Sequence, residues 1–548
     1  MKTKIIYAGL FIFLLIYTSG CQESFLDSSP TDQLTTETYY ETEDDFIQSV
    51  NGIYAINCLW RQQLEFFPMI DMATPVAVKG SGRFGQFHWG NGGYSPADVP
   101  GDVKTWWKRW WQGISRSNEV LKRIEERGDE VFTTDGLKDR IKGEALFLRA
   151  FYYFNLTYIW GDLPLITEPV TEENYYPSRD AHPAIVEQMV SDLAEAETLL
   201  PSVTKYRANP DDLGRVSKGA AMALLGKIYC FEKQWSKAAT ALKKVIDSGD
   251  YQLTPGPTGF IDQFWPEGEN GIESIFEIQY TTGLGDQYGN AFITYCATGG
   301  VGIDGAGDGY NYIEPTDYLV DLFETTDGYK VNSTWLSNTD GKDNFSFSSN
   351  DPDFNPREPF ENRDPRLKWT VMYEGSPYVN EKFPGNIFTA ASPVESNYAT
   401  AKYIVSQNAF AQSEMNMVVL RYADVLLLYA EALMEQNDLN NAAKYVNMVR
   451  SRPSVSMPGV PQDIVSSQAA LRKYVHEERI RELTLEYGHT FFDMRRWGTW
   501  VTEMKGYWTA NKFGHENGAI DIDEHNVLWP ISQDEIDLNP NLGQNDGY

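Results

Sequence analysis

Two stretches of this chain repeat one arrangement of small and large residues, and that repeat limits the folds open to it. Leu225-Gly226 with Tyr229, followed by Ala238 and Leu242, sets a small residue on one helix-length segment against an alanine and a large residue on the next. Leu426, Tyr429, Ala430 and Leu433, followed by Ala442 and Val446, do the same nearer the end. Small residues let two helices approach, and the large ones fill the groove between them. Such a pair cannot bury its apolar stripe alone, so each predicts a helical hairpin stacked on neighbours. Apolar spacing near 3.6 predicts four more helices, over 43–59, 105–127, 137–158 and 181–200. The third runs into Trp160-Gly161-Asp162-Leu163-Pro164, where Gly and then Pro stop it; Pro201 ends the fourth.

The hairpin pattern partly matches the tetratricopeptide repeat. The expected fold is therefore mainly α: a tetratricopeptide-like helical-hairpin scaffold with a loop-rich ligand-binding face. Residues 251–410 are the source of that face, being rich in Gly, Pro, Asn, Asp and Tyr. Ile272–Tyr280 reads as a strand there, and the remainder as loops and small turns. A second long loop is expected over 78–102, where Phe84, Phe87, Trp89 and Tyr94 are scattered among Gly, Ser, Asn and Pro.

The first 21 residues follow a targeting pattern. Lys2 and Lys4 precede an uncharged run from Ile5 to Tyr17, then Thr18-Ser19-Gly20-Cys21. The run has the length of a signal-peptide core and falls short of the ~20 apolar residues that span a bilayer. Small residues leading directly into a cysteine resemble a bacterial lipoprotein start, although Thr18 stands where that box usually has Leu. Residues 1–20 are thus read as a lipoprotein signal and Cys21 as the lipidated first residue of the mature chain. Phe25-Leu26-Asp27 and its neighbours continue as a tether.

Charge excludes one class of partner. The chain carries a formal net charge of -31, whereas nucleic acid needs a basic patch that displaces counterions. The other cysteines, Cys58, Cys230 and Cys296, are too widely spaced for a metal or redox motif, and Cys230 is expected as a buried thiol. Six histidines stand singly, so no metal ligand set is expected, and His476 and His489 are read as packing or surface groups. The Asp-rich stretch Asp340–Asp353 has oxygen ligands for calcium but lacks the EF-hand order. Beyond the lipid and that stretch, no cofactor is expected.

The chain is rich in aromatic residues, with 15 Trp, 32 Tyr and 28 Phe; many are expected in the core, and such a stock also suits a surface that stacks on sugar rings. Pyranose C–H faces pack on Trp and Tyr while short polar groups bind the hydroxyls. Residues 83–94 combine Arg83, Trp89, Asn91 and Tyr94, and Trp89 is the first choice as a stacking platform. Residues 286–312 offer Tyr288, Tyr310 and Tyr312, and Trp335 is a further candidate. Arg149, Arg421, Arg495 and Arg496 lie in apolar contexts near Asp and Glu, and are read as partners of carboxylates that hold helices together.

Three segments together resemble the SusD/RagB family of outer-membrane lipoproteins. They are Leu148–Phe154 with Trp160–Leu165, Val419–Ala432 with Asn447, Arg450 and Arg452, and Glu478–Leu483 with Phe491–Gly498. Leu528-Trp529-Pro530-Ile531 and the ending Asn539–Tyr548 fit as well. The resemblance divides the chain into an N-terminal region, 21–250, and a C-terminal RagB/SusD region, 251–548, with 251–410 as its loop-rich insert. It implies a non-catalytic surface protein that captures oligosaccharides, or peptides in some members, as a lid on a SusC-like TonB-dependent transporter. It also favours loops of the N-terminal region as ligand contacts. A surface glycoside hydrolase is the rival class, since 77 acidic residues always offer some carboxylate pair. No Gly-x-Ser-x-Gly, His-Glu-x-x-His or phosphate-loop motif is present. A purely protein-binding scaffold is the third class.

Overall fold

The computed structural model describes residues 39–58, 70–79, 95–172, 175–282, 289–292, 296, 312–339, 342–376, 396, 398–404, 413–510 and 522–548. Helices dominate, as expected. Helix α1 (Glu43–Tyr54) starts in a capping box, with the Thr42 hydroxyl on the Asp45 amide and the Asp45 carboxylate returning to Thr42. The predicted 43–59 helix ends earlier and passes into a 3-10 turn over Ala55–Cys58. Strand β1 (Ala77–Lys79) follows, then α2 (Gly101–Val131), α3 (Leu137–Trp160) and α4 (His182–Leu199). Helices α1, α2, α3 and α4 pack in sequence against one another, with α3 innermost and almost wholly buried from Gly143 to Thr157.

The two repeat patterns are helical hairpins, α5 (Lys218–Phe231) with α6 (Trp235–Ser248), and, beyond the loop-rich region, Tyr422–Glu435 with Leu439–Arg450. Gly226 is the closest approach of the first hairpin: a Cβ there would lie 2.6 Å from Leu242 Cγ and Cδ2. Cys230 is buried, as expected.

Between the hairpins lie β2 (Ser274–Ile278), β3 (Ile313–Pro315), α7 (Asp317–Leu322), β4 (Val331–Thr339), β5 (Lys342–Ser349), β6 (Val371–Tyr373) and β7 (Tyr398–Thr400). Strand β8 (Met417–Arg421) leads into the second hairpin, now α8 (Tyr422–Glu435) and α9 (Leu439–Arg450). All strands described form two-stranded antiparallel ribbons: β1–β3, β2–β8, β4–β5 and β6–β7. The expectation that this region is mostly loop needs correcting at β4–β5. In β5, Phe345 and Phe347 alternate with Ser346 and Ser348, a ribbon pattern hidden by polar composition.

Helices α10 (Gln468–Leu483), α11 (His489–Trp497) and α12 (Trp500–Ala510) complete the scaffold. The C-terminal segment then docks back on α3. Trp529 N–H donates to Ile159 O at 2.8 Å, Trp160 Nε1 donates to Pro530 O at 3.2 Å, and the Trp529 and Trp106 rings stack 6.1 Å apart. Much of the tryptophan stock is therefore core: Trp106, Trp107, Trp110, Trp160, Trp500 and Trp529 are all buried. Among the described residues no helix is long and apolar enough to cross a membrane.

The centre of the C-terminal half is ionic. Six cations (Arg366, Lys402, Arg421, Arg450, Arg452, Arg481) interlock with six carboxylates (Glu273, Glu324, Asp364, Glu478, Glu482, Glu486), all buried. Burial would push Glu482 up, but Arg452, Arg421 and Arg366 outweigh it and hold its carboxyl down to about 2. The matching numbers of the two signs keep the network from leaving a charge uncompensated.

Candidate functional site

The residues chosen from sequence for their ligand chemistry fall mostly in two segments, and the described chain fixes where those segments begin and end. Strand β1 pairs with β3 so that Lys79 lies opposite Ile313. The segment carrying Arg83, Trp89, Asn91 and Tyr94 departs at Lys79, and the one carrying Tyr310 arrives at Tyr312, so both are rooted at the same end of one ribbon. Strand β3 also packs on β7, and the Ser396 amide donates to Glu314 Oε2 at 2.8 Å, which brings the turn end of the β6–β7 ribbon beside β3. Tyr288 lies between Thr282 and Gly289. There, Thr282 N–H and Oγ donate to Glu414 Oε1, and Asn290 bridges to Ser413 and donates through Nδ2 to Met415 O at 2.7 Å.

Arg83, Trp89, Asn91, Tyr94, Tyr288 and Tyr310 themselves lie outside the described residues, as does Cys21. Trp335 sits in β4 opposite Phe345, in a ribbon and not in the loop expected for it. Tyr312 needs a correction. It was expected as an open stacking face, but only 4% of it is exposed, and it packs in the core immediately before β3. It directly precedes β3, whose pairing with β1 seats it in the core.

Sequence reading missed a cavity of about 680 Å³ between α1 and β2. Its lining mixes amides and apolar groups: Gln48, Asn51, Arg215 and Gln279 with Tyr54, Leu213 and Phe276. Cys58 closes one side, its Sγ on Gln279 O at 2.9 Å, and burial pushes its thiol up to about 12, so it is a packing group and not a nucleophile. No local motif marks this cavity, because its walls come from three distant parts of the chain.

The arginines divide. Arg149 clamps Asp192 with Nε and Nη2 at 2.8 and 2.7 Å, tying α3 to α4. Arg421 binds Glu273, Glu482 and Glu486, and Arg496 binds Glu431 and Asp493. Arg495 departs from the expected carboxylate pairing. Its guanidinium lies 3.5 Å from the Phe491 ring centroid and 4.1 Å from that of Trp500, and Nε donates to Val527 O at 3.0 Å. His489 is buried against Lys227, with Nδ1 and Nζ 2.9 Å apart.

The Asp-rich stretch supplies Asp351 and Asp353, which join Asp327 with carboxylate oxygens all within 4.8 Å of one another. Three oxygen donors suit a hard cation in kind, but calcium takes six to eight, and one Asp351 oxygen already accepts the Asp353 amide.

Comparison with known proteins places this architecture. Residues 272–548 match the model of the SusD family, and residues 24–230 match one described as starch-binding associating with outer membrane. SusD-like protein P25 of Formosa agariphila is 26% identical over 98% of this chain and 97% of its own. Among solved structures, a SusD-like carbohydrate binding protein of Bacteroides fragilis superposes with a TM-score of 0.74 at 22% identity, covering 92% of this chain and all of its own. Surface glycan-binding protein A of Bacteroides thetaiotaomicron, solved with laminarihexaose, gives a TM-score of 0.68 at 20% identity, covering 92% and 99%. With more than half of its length matched by the family model and the same helical-hairpin architecture in its solved neighbours, the chain belongs to the SusD family.

Proposed function

We propose that this protein captures oligosaccharides at the outer-membrane surface and passes them, without turnover, to a SusC-like TonB-dependent transporter. One observation carries the reading. Two segments rich in aromatic and short polar residues, 83–94 and 286–312, are far apart in sequence, yet the Lys79–Ile313 pairing roots them together. Segments that share a root there would let stacking faces and hydroxyl-binding groups reach one ligand, which is what a pyranose chain needs. The laminarihexaose complex of a solved neighbour supports a glycan as the ligand class. The outer-membrane description of the family model over 24–230, with the Cys21 lipoprotein start, supports a lipid-anchored protein facing outward.

The test is Trp89→Ala in soluble protein beginning at Gln22. Calorimetric titration with a panel of neutral oligosaccharides gives saturable binding and no released reducing ends for the parent. The variant loses at least tenfold in affinity, with its melting temperature unchanged. Equal affinity of parent and variant refutes Trp89 as the platform, and product formation refutes capture without turnover.

A further inference from the structure

A second cleft, of about 510 Å³, opens among α7, α10, α11 and α12. None of the residues that line it belongs to the β1–β3 ribbon, at whose Lys79–Ile313 end the two long segments are rooted. Its volume is in the range of small-ligand sites.

One wall is the His476–Trp497 pair, stacked with centroids 3.7 Å apart and 8° between planes. Trp497 Nε1 already donates to Glu431 Oε1 at 3.0 Å, so the indole is fixed in place and its polar atom is satisfied. Burial pushes His476 down to about 4, which keeps its imidazole neutral at pH 7. The wall is therefore aromatic and carries no charge of its own, with the Arg496 guanidinium 5.2 Å from the Trp497 ring centroid. Leu322, Ile480 and Met494 extend that apolar lining.

The rim carries both signs. Arg472 uses Nε and Nη2 on Glu435, and among the described residues its Nη1 takes no partner. Glu503 accepts from Tyr318 Oη through Oε2 at 3.1 Å, and Oε1 takes no partner among the described residues. A donor and an acceptor are thus held at the mouth of an aromatic-walled cleft. An anionic ligand would face Glu477 and Glu503, and a cationic one Arg472 and Lys473. A sugar ring with uncharged hydroxyls both donates and accepts, and it has an apolar face for the wall.

We infer that this cleft is an accessory binding site for neutral saccharides, separate from the loop-rooted face. It rests on the reading of the protein as a glycan binder but not on Trp89. A second site on another surface raises the avidity for a polymer that reaches both.

The test uses 5-fluorotryptophan protein, with the Trp497 resonance assigned through Trp497→Phe. Laminarihexaose, cellohexaose, maltohexaose and xylohexaose are the neutral probes, and trigalacturonate is the acidic one. At least one neutral hexaose shifts the Trp497 signal saturably, and trigalacturonate does not. Ala469→Trp fills the exposed mouth without removing a contact made by Trp497, and it weakens that response at least tenfold. The proposal is overturned if no neutral hexaose moves Trp497, if Ala469→Trp leaves the response intact, or if trigalacturonate binds there equally well. Hexaose binding that Trp89→Ala abolishes while Trp497 stays silent sinks the cleft alone. A Trp497 response that persists when no other binding is detectable sinks the loop-face reading alone.

Discussion

Arg421→Ala removes one cation from a network whose twelve charges balance. The guanidinium is fully buried and makes five hydrogen bonds: to Glu486 at 3.0 and 2.8 Å, to Glu273 at 3.0 Å, to Glu482 Oε1 at 2.7 Å and to the Glu482 carbonyl at 2.7 Å. Its loss leaves three carboxylates sharing the remaining cations, with no solvent to take up the excess charge. Breaking a buried pair in this way costs about 3–5 kcal/mol, a large part of the ~5–15 kcal/mol that holds a typical domain folded. Calorimetry should show a melting temperature lower by several degrees, with circular dichroism at low temperature unchanged or partly reduced. Acid sensitivity supplies a second readout. Glu482 titrates near 2 when folded and at ~4.3 when unfolded, so the stability it contributes is complete above ~4.3 and is lost as pH falls toward 2. Without Arg421 that folded value rises, and the acid unfolding midpoint moves to higher pH. Adding Glu482→Gln to the variant removes one surplus charge and recovers part of the loss, as coupled neighbours do. A melting temperature within one degree of the parent, together with lost saccharide binding, would refute the structural assignment and place Arg421 at the ligand.

Two further outcomes follow from single positions. Gly226→Ala puts a Cβ 2.6 Å from Leu242 side-chain atoms and 3.4 Å from its backbone nitrogen, so the hairpin must spread at a cost of about 1–3 kcal/mol; urea unfolding of the variant checks this, and an unchanged midpoint contradicts the close-approach reading. Burial pushes Asp321 up to about 7, against the hydrogen bonds that its carboxylate accepts from Ser333 N and Oγ. Its folded value lies above the ~3.9 of an unfolded chain, so the folded state holds the proton more tightly and this group's contribution falls as pH rises from ~4 to 7, then levels off. Asp321→Asn should therefore gain stability relative to the parent at pH 8 and gain little at pH 4, as thermal unfolding at the two values will show.

What was legible in the sequence was what local spacing controls. Gly226 and Leu242 are read correctly because two adjacent helices must meet at fixed offsets, and α3 ends at Gly161 because a positive φ of 78° there suits glycine. Arg149, Arg421 and Arg496 were legible as structural for a related reason: a guanidinium among apolar residues has to find a carboxylate. Arg495 shows the limit of that rule, since Phe491 and Trp500 solve the same problem with ring faces, and Trp500 is contributed by the next helix. The β4–β5 ribbon stayed hidden because its partner strand, and not its composition, makes it a strand.

Ligand sites are less legible still, and the tyrosines give the reason. Tyr312 has the chemistry and the loop-like neighbours of a stacking residue, yet it is core, because β3 pairs with β1 immediately after it. Whether a ring faces solvent is decided by pairing across more than two hundred residues, which no window of sequence contains. The same argument explains why neither cavity had a motif. The 680 Å³ cavity draws its walls from α1, the 211–215 turn and β2, and the 510 Å³ cleft draws its walls from four helices. Composition indicated that saccharide chemistry was available to this chain. The Lys79–Ile313 register and the cleft lined by α7, α10, α11 and α12 give that chemistry two places where a sugar can be tested.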